Sequence, residues 1–550
     1  MSQLLDALAR WKPFTAIVVG DFMLDEVVSG DVDRLANDAP VPVVLVKQTT
    51  QTPGGAANVC LDLVALKGRV FAVGVTGSDH AGDRLRDLLS SSGVDSAGVL
   101  IDADRPTTVK RSIVGLAQHR HAQKMFRLDY ESKEAVGAEV ERRLLAHVET
   151  ALDKALRDAG ARGEDVASVV VCIEDYHKGV CTPRVCQGVI GLCRARGVEV
   201  LVDPGAIADY ARYRGATTIT PNRSEAMLAI GGTFNVGGEL KPPAATKGHT
   251  PEDFVEIASY LVQTLDLRAA VITLDKHGAL LLERGDDGTP GEAQSIPTTA
   301  RKVYDVTGAG DMVLAALAAA RANGLAWADS VRFANAAAGL EVEEFGVVPI
   351  PLERIHQDLL RREAATRGKL RTLDQLKVEI TALRQHAKTV GSTPPKVVFT
   401  NGVFDVLHAG HAALLRRAKD LGDYLVVAIN TDTKVRQYKG PNRPINDESL
   451  RAFVLSQLES VDAVIVFEQD TPIDVIDALR PDVLAKGDEY ADTQIPGAAL
   501  VKSYGGAVHR LPMAPGLSTT GVLRAMNDPR AETTSSQTHR ARFIDDKPPA

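Results

Sequence analysis

Two kinds of segment alternate along the chain. Short apolar runs closed by glycine, proline or aspartate, such as AIVVGD (16–21), VASVVVCIEDY (166–176), VEVLVDPG (198–205) and AAVITLDKHGALLL (269–282), stand between stretches of helical periodicity. Runs apolar on both faces are the pattern of buried parallel strands covered by helices, so an α/β layered domain is expected. After Phe345 the pattern turns charged, and Leu376, Ile380, Leu383 and Ala387 fall at helical spacing before the stop signal GSTPP. That spacing predicts a linker over 366–395 carrying one amphipathic helix. A second α/β series follows: KVVFTNG (396–402), YLVVAINTD (424–432), VDAVIVFE (461–468), PDVLAKG (481–487) and GGAVHRLP (505–512). It reads as one smaller doubly wound domain over 396–527, with ligands at the carboxyl ends of its strands. The first domain is expected over 1–365, and the polar end, 528–550, is expected to be a disordered tail.

A chain of 550 residues exceeds what one hydrophobic core supports, which agrees with two domains. Apolar content of 45% and charged content of 24% describe a globular protein and exclude disorder as the main state. The formal charge of −8 gives no support to nucleic-acid binding. The five cysteines, Cys60, Cys172, Cys181, Cys186 and Cys193, include no C-x-x-C pair and read as buried thiols of a reducing compartment. The opening residues carry only a five-residue apolar run before Asp21, far short of a secretory or membrane segment. A cytoplasmic protein without membrane partners is therefore expected.

Two stretches carry candidate chemistry. In DVTGAGD (305–311), Gly308, Ala309 and Gly310 open a strongly helical alanine-rich run, so backbone N–H groups can converge on an anion at the helix start. Asp311 follows at once, where a carboxylate suits accepting the proton of a substrate hydroxyl while the N–H groups hold a transferring phosphoryl group. TPNRSEA (220–226) places Asn222 and Glu225 three apart after a strand end, oxygen donors suited to Mg²⁺ directly or through water. Asp21, Asp25, Gly54, Gly55 and Asn58 lie at early strand and helix ends, where carboxylates and amides can bind sugar hydroxyls. With GGAANV, NRSE, TLDKHGALLL and DVTGAGD in this order, residues 10–350 resemble the ribokinase-like (PfkB) sugar kinases. The resemblance implies Asp311 as catalytic base, the 308–310 backbone as anion hole, Asn222, Arg223, Ser224 and Glu225 as the magnesium and phosphate motif, and Asn335 beside the adenine of ATP. GDVDRLANDAPVPVV (30–44) and EDYHKGV (174–180) look like the corresponding stretches of heptose 7-phosphate kinases. Lys110, Arg111, Arg120, Lys124 and Arg127 offer cations for such a 7-phosphate, although a solvated basic face is the plainer reading of that run.

In TNGVFDVLHAGH (400–411), an apolar strand runs into a helix whose start carries His408 and His411, one turn apart on one face. No third ligand or intervening acid favours a metal there. Two imidazoles at a helix N-terminus can donate to the phosphates of a nucleoside triphosphate, with Phe404 packed beneath the loop. Residues 395–526 are similar to the HxGH nucleotidyltransferases, which implies nucleotide contacts at Thr400, Gly402, Phe404, Lys439 in YKGPNRPIN, Lys486 in LAKGDEY, and Ser518, Thr519 and Thr520 in LSTTGVLR. That last stretch departs from the frequent I-S-S-T-x-x-R form by a serine-to-threonine change that keeps the hydroxyl.

The two motifs in one chain resemble the bifunctional heptose 7-phosphate kinases and heptose 1-phosphate adenylyltransferases. The resemblance implies two reactions, both using ATP and Mg²⁺: phosphorylation of D-glycero-β-D-manno-heptose 7-phosphate at C1, and adenylylation of heptose 1-phosphate. It also implies a separate phosphatase between them. A homodimer is the expected assembly. The same reactions on another sugar phosphate, or with CTP, stay open at this point, as does a non-catalytic sugar-phosphate sensor.

Overall fold

The computed structural model describes residues 4, 8, 10–116, 123–231, 243, 248, 250–298, 307–344, 346–367, 369–389, 391–488 and 495–512. The chain forms two compact units, Met1–Ile355 and His356–Ala550. The expected tail, 528–550, lies outside the described residues.

The first unit is built on a nine-stranded sheet. Its strands are β1 (Phe14–Gly20), β4 (Gly68–Thr76), β5 (Asp95–Ile101), β8 (Val169–Glu174), β9 (Glu199–Asp203), β10 (Thr218–Ile219), β11 (Ala269–Thr273), β12 (Ala279–Arg284) and β13 (Pro290–Ile296), in the order β13-β12-β11-β10-β9-β8-β1-β4-β5. The run 269–282 is a hairpin and not a single strand: a 3-10 turn over Asp275–His277 reverses the chain, so β11 and β12 pair antiparallel at the sheet's edge. All other pairs except β12 with β13 are parallel. Alternation divides the two faces. Ile17, Val19, Val171, Ile173 and Val200 pack against Leu144 and Val148 of helix Ala138–Ala161 and Val185 and Val189 of helix Pro183–Arg196. Helix Ala309–Ala322 packs on β8 and β9, and helices Ala56–Ala65 and Trp327–Glu341 pack against it.

A second sheet, which the apolar runs did not announce, joins β2 (Phe22–Leu35), β3 (Pro42–Gly55), β6 (Thr108–Leu116) and β7 (Gln123–Tyr130) in the order β3-β2-β6-β7. One of its faces carries charge in register: Asp25 opposes Lys110, and Lys110 opposes Asp129.

The second unit has a five-stranded parallel sheet, β14 (Val397–Gly402), β15 (Tyr424–Asn430), β16 (Ala463–Phe467), β17 (Val483–Gly487) and β18 (Ala507–Leu511), ordered β16-β15-β14-β17-β18. The order reverses between β14 and β17, the switch point at which doubly wound sheets open a crevice. Val397 and Phe399 face one core, while Val398 faces the other with Leu414 and Leu455. Leu376 and Ile380 of helix Leu373–Thr389 are buried in the first of these cores, so the segment read as a linker helix is a structural layer of the second unit.

Candidate active sites

β1, β8 and β9 end side by side, with Gly20 opposite Glu174 and Glu174 opposite Asp203. Helix Ala309–Ala322 begins at the same sheet end. Gly308, its N-cap, has φ 92°, a left-handed conformation that glycine takes without strain. Asp311 in the first turn is buried and fixed from two sides. Asn58 Nδ2 donates to its Oδ2 at 2.9 Å, and the Tyr176 hydroxyl donates to its Oδ1 at 2.8 Å. Burial pushes the Asp311 pKa up to about 6, while these two hydrogen bonds and the charge of Lys110 act in the opposite direction. The Lys110 ammonium lies 4.3 Å from the centre of the Tyr176 ring. Burial also holds Asp25 above the usual carboxylate range, against the pull of Lys110, Arg127 and Lys124. A Cβ on Gly54 would run into the Asp25 carboxylate, so this glycine makes its room. The structure thus brings Asp25, Gly54, Asn58, Lys110 and Asp311 together, with Gly55 as N-cap of the helix that carries Asn58.

Other sequence candidates are engaged differently. Asp21 accepts from the backbone N–H groups of Tyr176 (2.9 Å), Lys178 (2.9 Å) and Val180 (3.2 Å), which makes it the clamp of the loop after β8. Arg127 is held bidentately by Asp129 at 2.7 and 2.8 Å, and Arg111 pairs with Glu26. Arg120 lies outside the described residues. Asn222 and Glu225 cap the helix Arg223–Gly231 reciprocally: the Asn222 N–H donates to Glu225 Oε2 at 2.8 Å, and the Glu225 N–H donates to Asn222 Oδ1 at 3.0 Å. Arg223 faces Asp275 at 3.4 Å, Ser224 lies in that helix's first turn, and Asn335 Nδ2 donates to the Ile296 carbonyl at 2.9 Å. Sequence reasoning had not assigned a role to Tyr176, Glu174 or Asp203, since only the neighbouring positions of β8 and β9 bring them to Asp311. A carboxylate inside or closing an otherwise apolar run was the available signal for Asp62 and Asp203, while Glu341, followed by Glu343 and Glu344, offered none.

In the second unit the histidines follow β14 at the switch point. Phe404 has φ 48° and covers Gly402, and its ring meets that of His411 edge-on at 5.3 Å. His408 is the N-cap of helix Ala409–Lys419, and the two imidazoles stack with centroids 3.9 Å apart. Burial, then the charges of His408 and Lys439, push the His411 pKa down to about 4. Burial lowers that of His408 as well. The His411 ring is therefore neutral at pH 7, with one N–H donor and one acceptor nitrogen. Thr400 is buried in β14, and Lys486 of β17 donates to Asn401 Oδ1 at 2.9 Å and to the Asn401 carbonyl at 2.7 Å. Lys439 is exposed at the end of helix Asp432–Lys439. Two further residues, absent from the sequence reading, hold this site. Asp405 accepts from the N–H groups of Ile445 (2.7 Å) and Asn446 (3.0 Å) and pairs with Arg443, pinning the segment after Lys439 beside the histidine loop. Arg451 is fully buried and donates to the carbonyls of Val403, Asn430 and Asn446 and to Asp432 Oδ1. Ser518, Thr519 and Thr520 lie outside the described residues.

The two halves match two family models, the pfkB family carbohydrate kinases over residues 15–353 and the cytidylyltransferase-like family over 399–540. Over the whole chain, the bifunctional protein HldE of Methylobacillus flagellatus is 40% identical across 515 residues, 94% of this chain and 96% of that protein. The chain belongs to the family of bifunctional HldE proteins. The namesake from Geobacter sulfurreducens is 38% identical over 92% of this chain and 94% of its own. The family carries a carbohydrate kinase and a nucleotidyltransferase-like domain, and the chain is accordingly a bifunctional enzyme with a ribokinase-like α/β domain followed by a Rossmann-like nucleotidyltransferase domain. Arabidopsis thaliana ribokinase complexed with ribose and ATP matches at a TM-score of 0.44 and 18% identity, covering 62% of this chain and 98% of that one, a likeness that carries no part of this assignment. No described helix is long and apolar enough to cross a membrane.

Proposed function

We propose that the first unit transfers the γ-phosphoryl group of ATP to C1 of D-glycero-β-D-manno-heptose 7-phosphate, and that the second joins heptose 1-phosphate to AMP from ATP, giving ADP-heptose and pyrophosphate. The observation that carries the reading is the pairing of a doubly hydrogen-bonded Asp311 at a glycine-opened helix with the stacked His408 and His411 at a parallel-sheet switch point.

In the first reaction Asp311 Oδ1 takes the proton of the C1 hydroxyl as its oxygen attacks the γ-phosphorus, and Asn58 fixes the carboxylate by its other oxygen. Backbone N–H groups at Gly308–Gly310 stabilise the charge of the transferring group. Lys110, Lys124 and Arg127 give the sugar 7-phosphate a cationic neighbourhood around Asp25, and the helix carrying Asn335 flanks the adenine. Glu174, Asp203 and Glu225 are three neighbouring acids, each held above the usual range by burial, and Glu174 Oε2 has no hydrogen-bond partner among the described residues. Asn222 and Glu225, which cap their helix through each other, are the pair that would hold Mg²⁺, directly or through water. Mg²⁺ supplies charge neutralisation to the triphosphate of either reaction.

In the second reaction a phosphate oxygen of heptose 1-phosphate attacks the α-phosphorus and pyrophosphate leaves, without a covalent enzyme intermediate. His408 and His411 donate to the α-phosphate and the departing pyrophosphate. Lys439 and Lys486 neutralise charge, and Ser518, Thr519 and Thr520 contribute hydroxyls. The kinase product still carries its 7-phosphate, so a separate phosphatase acts between the two steps. Exposed apolar positions on the four-stranded sheet, among them Leu45, Val46, Phe126 and Leu128, support a homodimer. Dependence on ATP and five unbonded cysteines suit the cytoplasm.

Paired variants test the division of labour. Asp311→Asn should abolish sugar phosphorylation and leave nucleotidyl transfer intact, while His411→Ala should do the reverse. Loss of both activities in a folded single variant would contradict the two-site reading.

A further inference from the structure

Beneath the glycine turn lie two carboxylates that the mechanism above does not use. Asp62 lies one helical turn beyond Asn58 on helix Ala56–Ala65, and Glu341 closes helix Trp327–Glu341. Both are buried, at 0% and 1% exposure, and none of their four carboxylate oxygens has a hydrogen-bond partner among the described residues. Neither is paired there with a lysine or arginine. Glu341 reaches the turn itself: a Cβ placed on Gly308 would lie 2.6 Å from Glu341 Oε1 and 3.4 Å from Asn58 Nδ2. A bare carboxylate at this point would repel the phosphoryl group that the turn is built to hold and compete with it for the positive end of the helix dipole.

We propose that Asp62 and Glu341 are positioning residues of the kinase site, sharing a proton beneath the Gly308–Gly310 turn, and that the turn accepts a phosphoryl group only while that proton is held. The inference rests on the reading of Asp311 and the turn as the kinase centre. Its electrostatic setting is consistent. Asp311 faces both acids from its own helix, and Glu341 raises the proton affinity of Asp62 after burial has done so first. Behind Asp311 stand Asp25 and Lys110 of the four-stranded sheet and Glu174 of β8, while Cys60 adjoins Asp62. The surroundings are therefore predominantly acidic, which favours retention of the proton; burial and Asp311 push the Glu341 pKa up to about 8.

The test is the alkaline limb of the kinase pH–rate profile, measured on the full chain between pH 6 and 10, each variant normalised to its own maximum. The wild type should lose kinase rate above pH about 8. The loss should approach about tenfold per pH unit, as for a single essential proton. Glu341→Gln and Asp62→Asn, which keep shape without a charge to expose, should move that limb upward by more than about one pH unit, and Glu341→Asp should keep it. The nucleotidyl transfer of the same preparations serves as the control for folding and for reagent effects, and its profile should be unchanged. Limbs of Glu341→Gln and Asp62→Asn that superimpose on the wild type would overturn the proposal. Kinase activity retained by Asp311→Asn would instead overturn the reading on which it rests.

Discussion

Arg451 gives the sharpest forecast for the second unit. Its guanidinium is fully buried and makes four hydrogen bonds: to the carbonyls of Val403 (2.8 Å), Asn430 (2.8 Å) and Asn446 (3.1 Å), and to Asp432 Oδ1 (2.7 Å). Val403 immediately precedes the left-handed Phe404 of the histidine loop, and Asn446 belongs to the segment pinned by Asp405. Arg451→Met keeps the aliphatic bulk and removes all four donors. Three inward carbonyls and one carboxylate then lose their partner, and breaking a buried ion pair from one side costs about 3–5 kcal/mol. Adding the orphaned carbonyls and allowing for relaxation gives about 4–6 kcal/mol. At about 2–4 °C per kcal/mol for a domain of this size, the second unit's melting midpoint should fall by about 10–20 °C. The assay is thermal inactivation of nucleotidyl transfer on the full chain, with kinase inactivation followed in the same samples. Transfer should fail early while the kinase curve stays in place. Arg451→Lys should rescue only in part, because an ammonium cannot reproduce the planar fork. A transferase curve within a few degrees of wild type would refute the claim that this residue holds the loop.

Further outcomes follow from the same geometry. Tyr176→Phe removes a hydrogen bond that works against burial to hold the Asp311 pKa down at about 6. The base must be ionised to act, so the acid limb of the kinase profile should move to higher pH, by about one unit; an unmoved limb would exclude Tyr176 from tuning the base. Gly308→Ala demands a left-handed alanine with its Cβ 2.6 Å from Glu341 Oε1, so kinase activity should be lost with transfer retained, as coupled assays on one preparation would show. His411 binds its proton less readily when folded, with a pKa near 4, than when unfolded, so the second unit should lose stability as pH falls from about 6.5 towards 4. His411→Asn should flatten that decline in thermal inactivation or melting curves recorded at pH 7, 5.5 and 4.5.

Much of the proposed site was legible because its candidate residues sit on interruptions of a regular pattern. Gly308 and Gly310 open an alanine-rich helix that carries the proposed base Asp311 in its first turn, and His408 and His411 stand where an apolar strand turns into a helix. Residues that act by meeting others from distant strands were not legible. Tyr176 matters because β8 lies beside β1 and beneath helix Ala309–Ala322, a fact of strand order and not of local sequence. Arg451 reads as one arginine on an ordinary amphipathic helix, and nothing local says that its guanidinium turns inward to three carbonyls. Asp21 reads as a sugar ligand by its position after β1, yet the loop after β8 takes up its oxygens. The charged four-stranded sheet escaped notice because its strands are half exposed and polar for most of their length, the run PVVLV at 42–46 being itself largely exposed.

The most direct test of the account follows product identity in one vessel. The purified full chain, given D-glycero-β-D-manno-heptose 7-phosphate, ATP and Mg²⁺, should accumulate the 1,7-bisphosphate and stop, as mass spectrometry and phosphorus NMR would show. Adding a phosphatase that removes only the 7-phosphate should then yield ADP-heptose and pyrophosphate. Failure to phosphorylate C1, or ADP-heptose formed by the chain alone with contaminating phosphatase excluded, would contradict the account.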